Sequence, residues 1–178
     1  MSEGRLIRLT DAPRQRWRNG GGWTRELLVW PADNWQIRVS VAEIEADGAF
    51  SFFPGVRRAF AVLEGAGVEL TIDGSRHRVR RDDAAVQFSG AAHTTCHLLA
   101  GATRDLNLMV RDRAAVMQRV DPVQPWSART QSCGVFAIDS GSCRSDAATT
   151  HVPAYSLLWF EQSPSLLRFD AAGWWLAA

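Results

Sequence analysis

The residues best able to do chemistry fall in three segments of the chain. The first is Trp17-Arg18-Asn19-Gly20-Gly21-Gly22-Trp23-Thr24-Arg25-Glu26. Three successive glycines let a backbone approach a ligand closely, with N–H groups free to face an anion. The spacing and the missing Lys exclude a Walker phosphate loop. A flexible turn between two strands is the structural alternative. The second segment runs from Asp47 to Arg57, where Pro54-Gly55 makes a turn that presents Arg57 and the phenylalanines before it supply core. The third is Asp105-Leu106-Asn107-Leu108-Met109-Val110-Arg111. On a strand, Asp105 and Asn107 share one face, opposite Leu106, Leu108 and Val110. Facing a barrel interior, that polar pair needs hydrogen-bond partners; on a surface, water supplies them.

Metal ligation has one candidate. His93-Thr94-Thr95-Cys96-His97 places two imidazoles at i and i+4, on one face of a strand, with Asp105 as a conceivable third ligand. His77 and His151 sit in separate polar surroundings and read as surface residues. There is no Gly-x-Ser-x-Gly elbow, and no cysteine lies in an electropositive segment. Glu26 or Glu43 would serve as a general base only if buried. All 20 basic residues are Arg. The absence of Lys excludes Schiff-base chemistry on a side-chain amine. The Arg bias reads either as a preference for forks that match carboxylates or as coding bias.

The elements that must position these groups are strands. The 178 residues suit one ordinary domain or two small ones, with 46% hydrophobic and 22% charged residues. Helical periodicity is scarce, and short apolar runs are broken by turn residues. Trp35, Ile37, Val39 and Val41 alternate with Gln36, Arg38, Ser40 and Ala42 at period two. Further strands are expected at 27–30, 50–53, 59–63, 68–72, 76–80, 84–88, 93–99 and 106–110. A second, smaller set is expected at 134–138, 155–160, 166–169 and 174–176. Asp73-Gly74 marks a hairpin, because both residues tolerate positive φ. Arg113 to Arg119 is the best helix candidate, Pro13 to Trp17 a possible turn, and the polar stretch Ser140 to Thr150 a surface loop. Asp121 to Pro125 reads as a linker.

Charge and cysteine usage narrow the setting. A net charge of +1 without a basic block argues against nucleic acid. No apolar run approaches a membrane span, and Met-Ser-Glu-Gly-Arg-Leu lacks the apolar core of a secretory signal. Three cysteines without a CxxC pair fit a reduced, cytoplasmic protein, with a Cys133–Cys143 bridge as the alternative.

The succession WRNGGGWTREL, RVSVAEIEADGAFSFFPGVRR, LEGAGVEL, QFSG and DLNLMVRDR resembles the HutD/Ves family of cupin-like proteins, over about Trp17 to Arg113. The resemblance implies an all-β, cupin-type double-stranded β-helix, a jelly-roll barrel with two cupin-like units in one chain. On this chain the units would be an N-terminal barrel over 1–120 and a smaller β unit over 121–178. The HutD branch is associated with bacterial histidine utilisation, which implies a sensor of a pathway intermediate such as N-formylglutamate. The Ves branch has no settled biochemistry, and the motifs do not separate the two. The family's signature falls on Asn19, Gly20, Gly21, Gly22, Thr24, Arg25, Glu26, Arg38, Ser40, Phe53, Gly55, Arg57, Asp105, Asn107 and Arg111. Leu106 stands where the family commonly has Phe.

Cupin metal centres commonly use His-x-His followed by Glu, and Phe50 to Glu64 contains no His. The expectation is therefore a non-catalytic regulator with no cofactor, binding a small carboxylate. Arg25, Arg38 and Arg57 would supply charge-assisted bonds to that carboxylate. Asn19 with Asp105 or Asn107 would read its amide or amine end, with Gly21, Gly22, Thr24, Glu26 and Ser40 completing the site. Structural ion pairs Arg25–Glu26 or Arg57–Asp105 are the alternative roles. The competing function is a metal-dependent enzyme acting on a small carboxylate through His93 and His97. No nucleic-acid or membrane partner is expected. Pairing of exposed β-edges into a homodimer is common in cupins and would protect those edges.

Overall fold

Period-two alternation and turn residues together dictate strands, and strands are what form. The computed structural model describes residues 3–146 and 148–178. Strand β1 (Arg5–Arg8) is followed by a single 3₁₀ turn, Leu9–Asp11. Ten strands follow: β2 (Arg14–Arg16), β3 (Gly22–Trp30), β4 (Ile37–Ile44), β5 (Gly48–Ala49), β6 (Val56–Glu64), β7 (Val68–Ile72), β8 (Ser75–Val79), β9 (Val86–Ser89), β10 (Thr94–Leu98) and β11 (Thr103–Arg111). The chain ends with β12 (Val116–Arg119), β13 (Cys133–Ala137), β14 (Gly141–Arg144), β15 (Thr149–Val152), β16 (Ser156–Phe160), β17 (Arg168–Phe169) and β18 (Gly173–Ala177). No helix among the described residues is long and apolar enough to cross a membrane.

The chain divides into two compact units. In the unit Pro13–Ala115, a six-stranded sheet of order β2-β3-β4-β11-β6-β9 accompanies a four-stranded sheet of order β5-β10-β7-β8. Their common core takes Ala42, Ile44, Phe60 and Val62 from the first sheet, and Val68, Leu70, Val79 and Cys96 from the second. Each large aliphatic or aromatic side chain buried there contributes about 1.5–3 kcal/mol. The β7–β8 hairpin closes on Asp73 and Gly74, with φ of 46° and 84°, as the Asp-Gly pair requires.

The other unit combines the residues up to Ala12 with Val116–Ala178. It has a five-stranded sheet, β1-β16-β13-β18-β12, and a three-stranded one, β15-β14-β17. Val135, Leu158, Phe160 and Trp175 from the larger sheet pack on Cys143, Val152, Leu167 and Phe169. The division differs from 1–120 and 121–178 because β1 pairs with β16 and β12 with β18. Both ends of the N-terminal stretch drawn from composition thus belong to the second unit.

Three local expectations are corrected. Within Arg113–Arg119, Val116–Arg119 is a strand, because backbone pairing with Trp174–Ala177 offers Met117 burial that a short solvated helix would not. The stretch 140–150 contains β14 and part of β15, since Cys143 and Val152 enter the core; its Ala147 lies outside the described residues, as do Met1 and Ser2 of the N-terminal reading. Phe50–Phe53 is irregular rather than a strand. Cys96, Cys133 and Cys143 are all buried free thiols, so the alternative Cys133–Cys143 bridge is not formed.

Candidate functional site

The six-stranded sheet presents its inner face in transverse rows, set by antiparallel register. One row carries Arg38, Met109, Arg58 and Phe88 across β4, β11, β6 and β9. The next carries Glu26, Ser40, Asn107 and Phe60, and the third Thr24, Ala42, Asp105 and Val62. Directly opposed residues on neighbouring strands share a face, so polar groups distant in sequence converge. A cavity of about 430 Å³ opens over the first two rows and reaches Thr24 and Ala42 of the third. Its walls include Arg38, Ser40, Arg58, Asn107 and Met109 from the sheet, and Phe50, Ser51 and Phe53 from the irregular segment after β5. Volumes of this order accommodate small molecules.

Two guanidinium groups dominate the electrostatics. Arg38 is ion-paired with Glu26, and both side chains are about three-quarters buried. Arg58 is only 8% exposed. It donates to Asn107 Oδ1 at 3.3 Å and, at 3.5 Å, faces the Ser51 carbonyl. Its guanidinium carbon lies 4.9 Å from the Phe50 ring centroid and 5.1 Å from that of Phe88. Among the described residues no carboxylate lies within ion-pair distance of Arg58, while Arg38 Nε and Arg58 Nε are both buried without a hydrogen-bond partner. Burial, and then the Arg38 charge, bring the Arg58 group down to about 10, so it stays protonated near neutrality. The aromatic faces give partial compensation only. Arg16, paired with Glu45, and Arg18 also line the cavity, so its arginines outnumber the carboxylates paired with them and the wall is net positive.

The glycine loop shapes one wall without forming an anion nest. The N–H of Gly21 donates to Asn19 Oδ1 at 2.9 Å, and that of Gly20 to the Trp17 carbonyl at 3.0 Å. A Cβ at Gly22 would lie 2.4 Å from the Glu43 carbonyl oxygen and 3.1 Å from the Trp17 ring. Glycine is required there for backbone approach. Trp17 Nε1 donates to Thr24 Oγ1 at 2.7 Å, which fixes the indole against the cavity.

Of the residues singled out in the sequence, Asn19, Thr24, Arg38, Ser40 and Asn107 line the cavity. Glu26 joins them through Arg38, while Gly21 and Gly22 hold the loop. Arg25 and Arg57 do not join them. Arg25 is in register with Val41, and Arg57 with Val110, so both project from the opposite face of the sheet. Arg57 instead borders a separate cleft with Gln87, Ser89, Asp112 and Arg113. Asp105 has the inward orientation but is fully buried and does not line the cavity. Its Oδ2 accepts from Thr103 Oγ1 at 2.7 Å, and its Oδ1 has no partner. Burial raises its carboxyl to about 8, which makes it a neutral acid near neutrality. The suggested ion pair of Arg57 with Asp105 does not fit these faces, and Glu26 is paired with Arg38.

The two histidines share a face, as alternation requires, but that face is the exposed one. His97 Nδ1 lies 2.5 Å from Asp47 Oδ2, and Asp105 is on the interior side. The three do not converge, and among the described residues no cluster of three or more His, Cys, Asp or Glu could hold a metal. The main omission of the sequence reading is Arg58. Its parity with Phe60 and Val62 was the available signal, but Ala59, Ala61 and Leu63 make the other face equally apolar.

Comparisons with known proteins agree with this architecture. The family model described as HutD matches residues 9–177. An uncharacterised 21.2 kDa protein of Pseudomonas putida, from the region 3′ of hutC, is 42% identical over 112 residues. That match covers 61% of this chain, which spans 59% of the length of that relative. Protein Ves of Cronobacter sakazakii is 31% identical over 167 residues, 90% of each chain. The solved structure of HutD from Pseudomonas fluorescens SBW25, in a formate condition, is 26% identical with a TM-score of 0.85, covering 98% of this chain and 97% of that one. Protein Ylba of E. coli, at 10% identity and a TM-score of 0.73 over 98% and 90% of the two chains, shares the fold alone. The fold is cupin-like and nearly all β. A family match over almost the whole length, on a barrel whose signature residues Asn19, Thr24, Arg38, Ser40 and Asn107 meet at one cavity, leads to one conclusion: the chain belongs to the HutD family.

Proposed function

We propose that the cavity of the Pro13–Ala115 unit is a non-catalytic binding site for a small carboxylate, and that the protein is a cytoplasmic sensor of a histidine-degradation intermediate such as N-formylglutamate. The observation that carries this reading is Arg58, a buried cation with no carboxylate partner, aimed beside Arg38 into the cavity. A buried charge left uncompensated is costly, and an anion that enters removes that cost through charge-assisted bonds. Asn107 is oriented by Arg58 through Oδ1, which leaves its Nδ2 to donate to an acyl or formyl oxygen. Ser40 lies in the same row and offers a hydroxyl. The HutD relative from P. fluorescens was solved in a formate condition, and formate is the smallest carboxylate.

The test is thermal unfolding with histidine, urocanate, glutamate, formate and N-formylglutamate. A ligand at one hundred times its dissociation constant adds about 2.7 kcal/mol, which at this size raises Tm by about 5–10 °C. The expected result is a rise with N-formylglutamate that disappears in Arg58→Met. No rise with any carboxylate, or an equal rise in the variant, overturns the reading.

A further inference from the structure

We infer that the cavity takes a ligand with a carboxylate at each end, and that Arg18, with Asn19, holds the second carboxylate at the end opposite Arg58. This rests on the carboxylate-binding reading above. It adds a second subsite and a ligand class: dicarboxylates whose two groups are held apart by a spacer of several carbons. N-formylglutamate is of that class.

Four arginines line the cavity, Arg16, Arg18, Arg38 and Arg58, and they are not equivalent. Arg16 is paired with Glu45 at 2.6 Å and also donates to the Gly20 carbonyl. Arg38 is paired with Glu26. Among the described residues, Arg18 and Arg58 are the two left without a carboxylate partner.

These two arginines sit at opposite ends. Arg58 shares the row of Arg38, near the start of β4. Arg18 belongs to the glycine loop, which packs against the far end of β4. There Gly22 is in register with Ile44, and the Gly21 carbonyl accepts from the N–H groups of Glu45 and Ala46. From Arg38 to Ile44 the strand advances about 20 Å, before side chains reach inward from either end. The wall between is largely apolar, with Ala42, Ile44, Ala49, Phe50 and Phe60.

Each end also offers an amide donor. Asn107 is held through Oδ1 by Arg58, which leaves Nδ2 to donate. Asn19 accepts the Gly21 N–H on Oδ1 at 2.9 Å, and its Nδ2 has no partner among the described residues. A guanidinium with an amide N–H at each end, joined by an apolar wall, matches two carboxylates joined by hydrocarbon. The two ends contribute unequally. Arg58 is buried and dominates affinity, whereas Arg18 is exposed, and pairing at an exposed charge is worth up to about fivefold. Arg18 therefore sets selectivity rather than basal binding.

The probes are formate, malonate, glutarate and glutaramate, titrated by calorimetry at constant ionic strength. Glutaramate is the half-amide of glutarate, equal in length but with one carboxylate. Wild type is expected to bind glutarate about fivefold more tightly than glutaramate. It should also prefer glutarate to malonate, whose carboxylates share one carbon and cannot reach both ends. Arg18→Gln should abolish the advantage of glutarate over glutaramate and leave formate and glutaramate affinities unchanged. Asn19→Asp keeps the acceptor for the Gly21 N–H and puts a negative oxygen in place of Nδ2. It should weaken glutarate more than glutaramate, whereas a purely structural role of Asn19 would leave their ratio as it was. Equal binding of glutarate and glutaramate by the wild type, or a ratio unchanged in Arg18→Gln, overturns the inference. Formate binding without glutarate binding does the same, and in each case the carboxylate-binding reading stands. Failure of all four probes to bind the wild type overturns both. If Asn19→Asp does not fold, Arg18→Gln decides alone, because Arg18 is exposed and its side chain holds no ion pair or hydrogen bond among the described residues.

Discussion

Replacing Arg58 with Met should make the protein more stable and unable to bind its ligand. The side chain is 8% exposed and has no carboxylate partner, so its charge is carried at a cost by the folded state. Burial and the neighbouring Arg38 charge bring it from the ordinary arginine range to about 10. A fall of that size corresponds to about 3 kcal/mol against the charged form. The sign follows from linkage: a base whose folded-state value is depressed binds its proton more weakly when folded, so the penalty is fully present below pH 10. Met fills similar space with apolar atoms, and the Phe50 and Phe88 rings remain as packing partners. The variant forfeits the cation–π contacts and the bond to Asn107, which offset about half of the gain; about 1–2 kcal/mol of net stabilisation remains. That is a rise in Tm of about 2–8 °C. Affinity for a carboxylate should fall by about two orders of magnitude or more, as loss of a buried charge partner does. Scanning calorimetry of the free protein and titration with formate or N-formylglutamate measure the two quantities. A lower Tm with intact binding refutes the reasoning, because Arg58 would then be a structural residue.

Other consequences follow from the same geometry. Asp105, with its carboxyl raised to about 8 by burial, keeps a proton in the folded state that the unfolded chain releases near pH 4, so its contribution to stability falls as pH rises between those values. Asp105→Asn should therefore leave Tm unchanged at pH 4 and raise it by several degrees at pH 8; a uniform change across pH, read by scanning calorimetry, would disprove the assignment. Gly22→Ala forces a Cβ to 2.4 Å from a backbone oxygen that cannot yield alone, and should destabilise by about 2–4 kcal/mol in a denaturant titration. Burial raises the thiols of Cys96 and Cys143 to about 12 and that of Cys133 to about 11. A thiol reagent should therefore label the native protein slowly and the denatured protein rapidly at all three positions, as counted by mass spectrometry.

The route from residues to site shows which step sequence reasoning can take. The alternation of Ile37, Val39 and Val41 with Arg38, Ser40 and Ala42 became β4, and Asp73-Gly74 became the β7–β8 turn. Both signals are local: a two-residue period and a φ preference are properties of neighbouring residues. The segment 50–53 carried a strand-like apolar run, yet the cavity takes those aromatics on irregular backbone. Val116–Arg119 had a helical look, yet its partner strand lies more than fifty residues away.

By itself the sequence determined an all-β chain, the positions of most of its turns, and the family motifs around Asn19, Arg38 and Asn107. Only the tertiary structure decided that Arg58 and not Arg57 enters the cavity, that Arg25 faces away, and that β1 belongs with β16. The physical reason is that β6 is apolar on both faces, so period two leaves two equivalent ways to turn the strand. Which of them is inside depends on antiparallel register with β11, nearly fifty residues further along the chain, and no local signal encodes it.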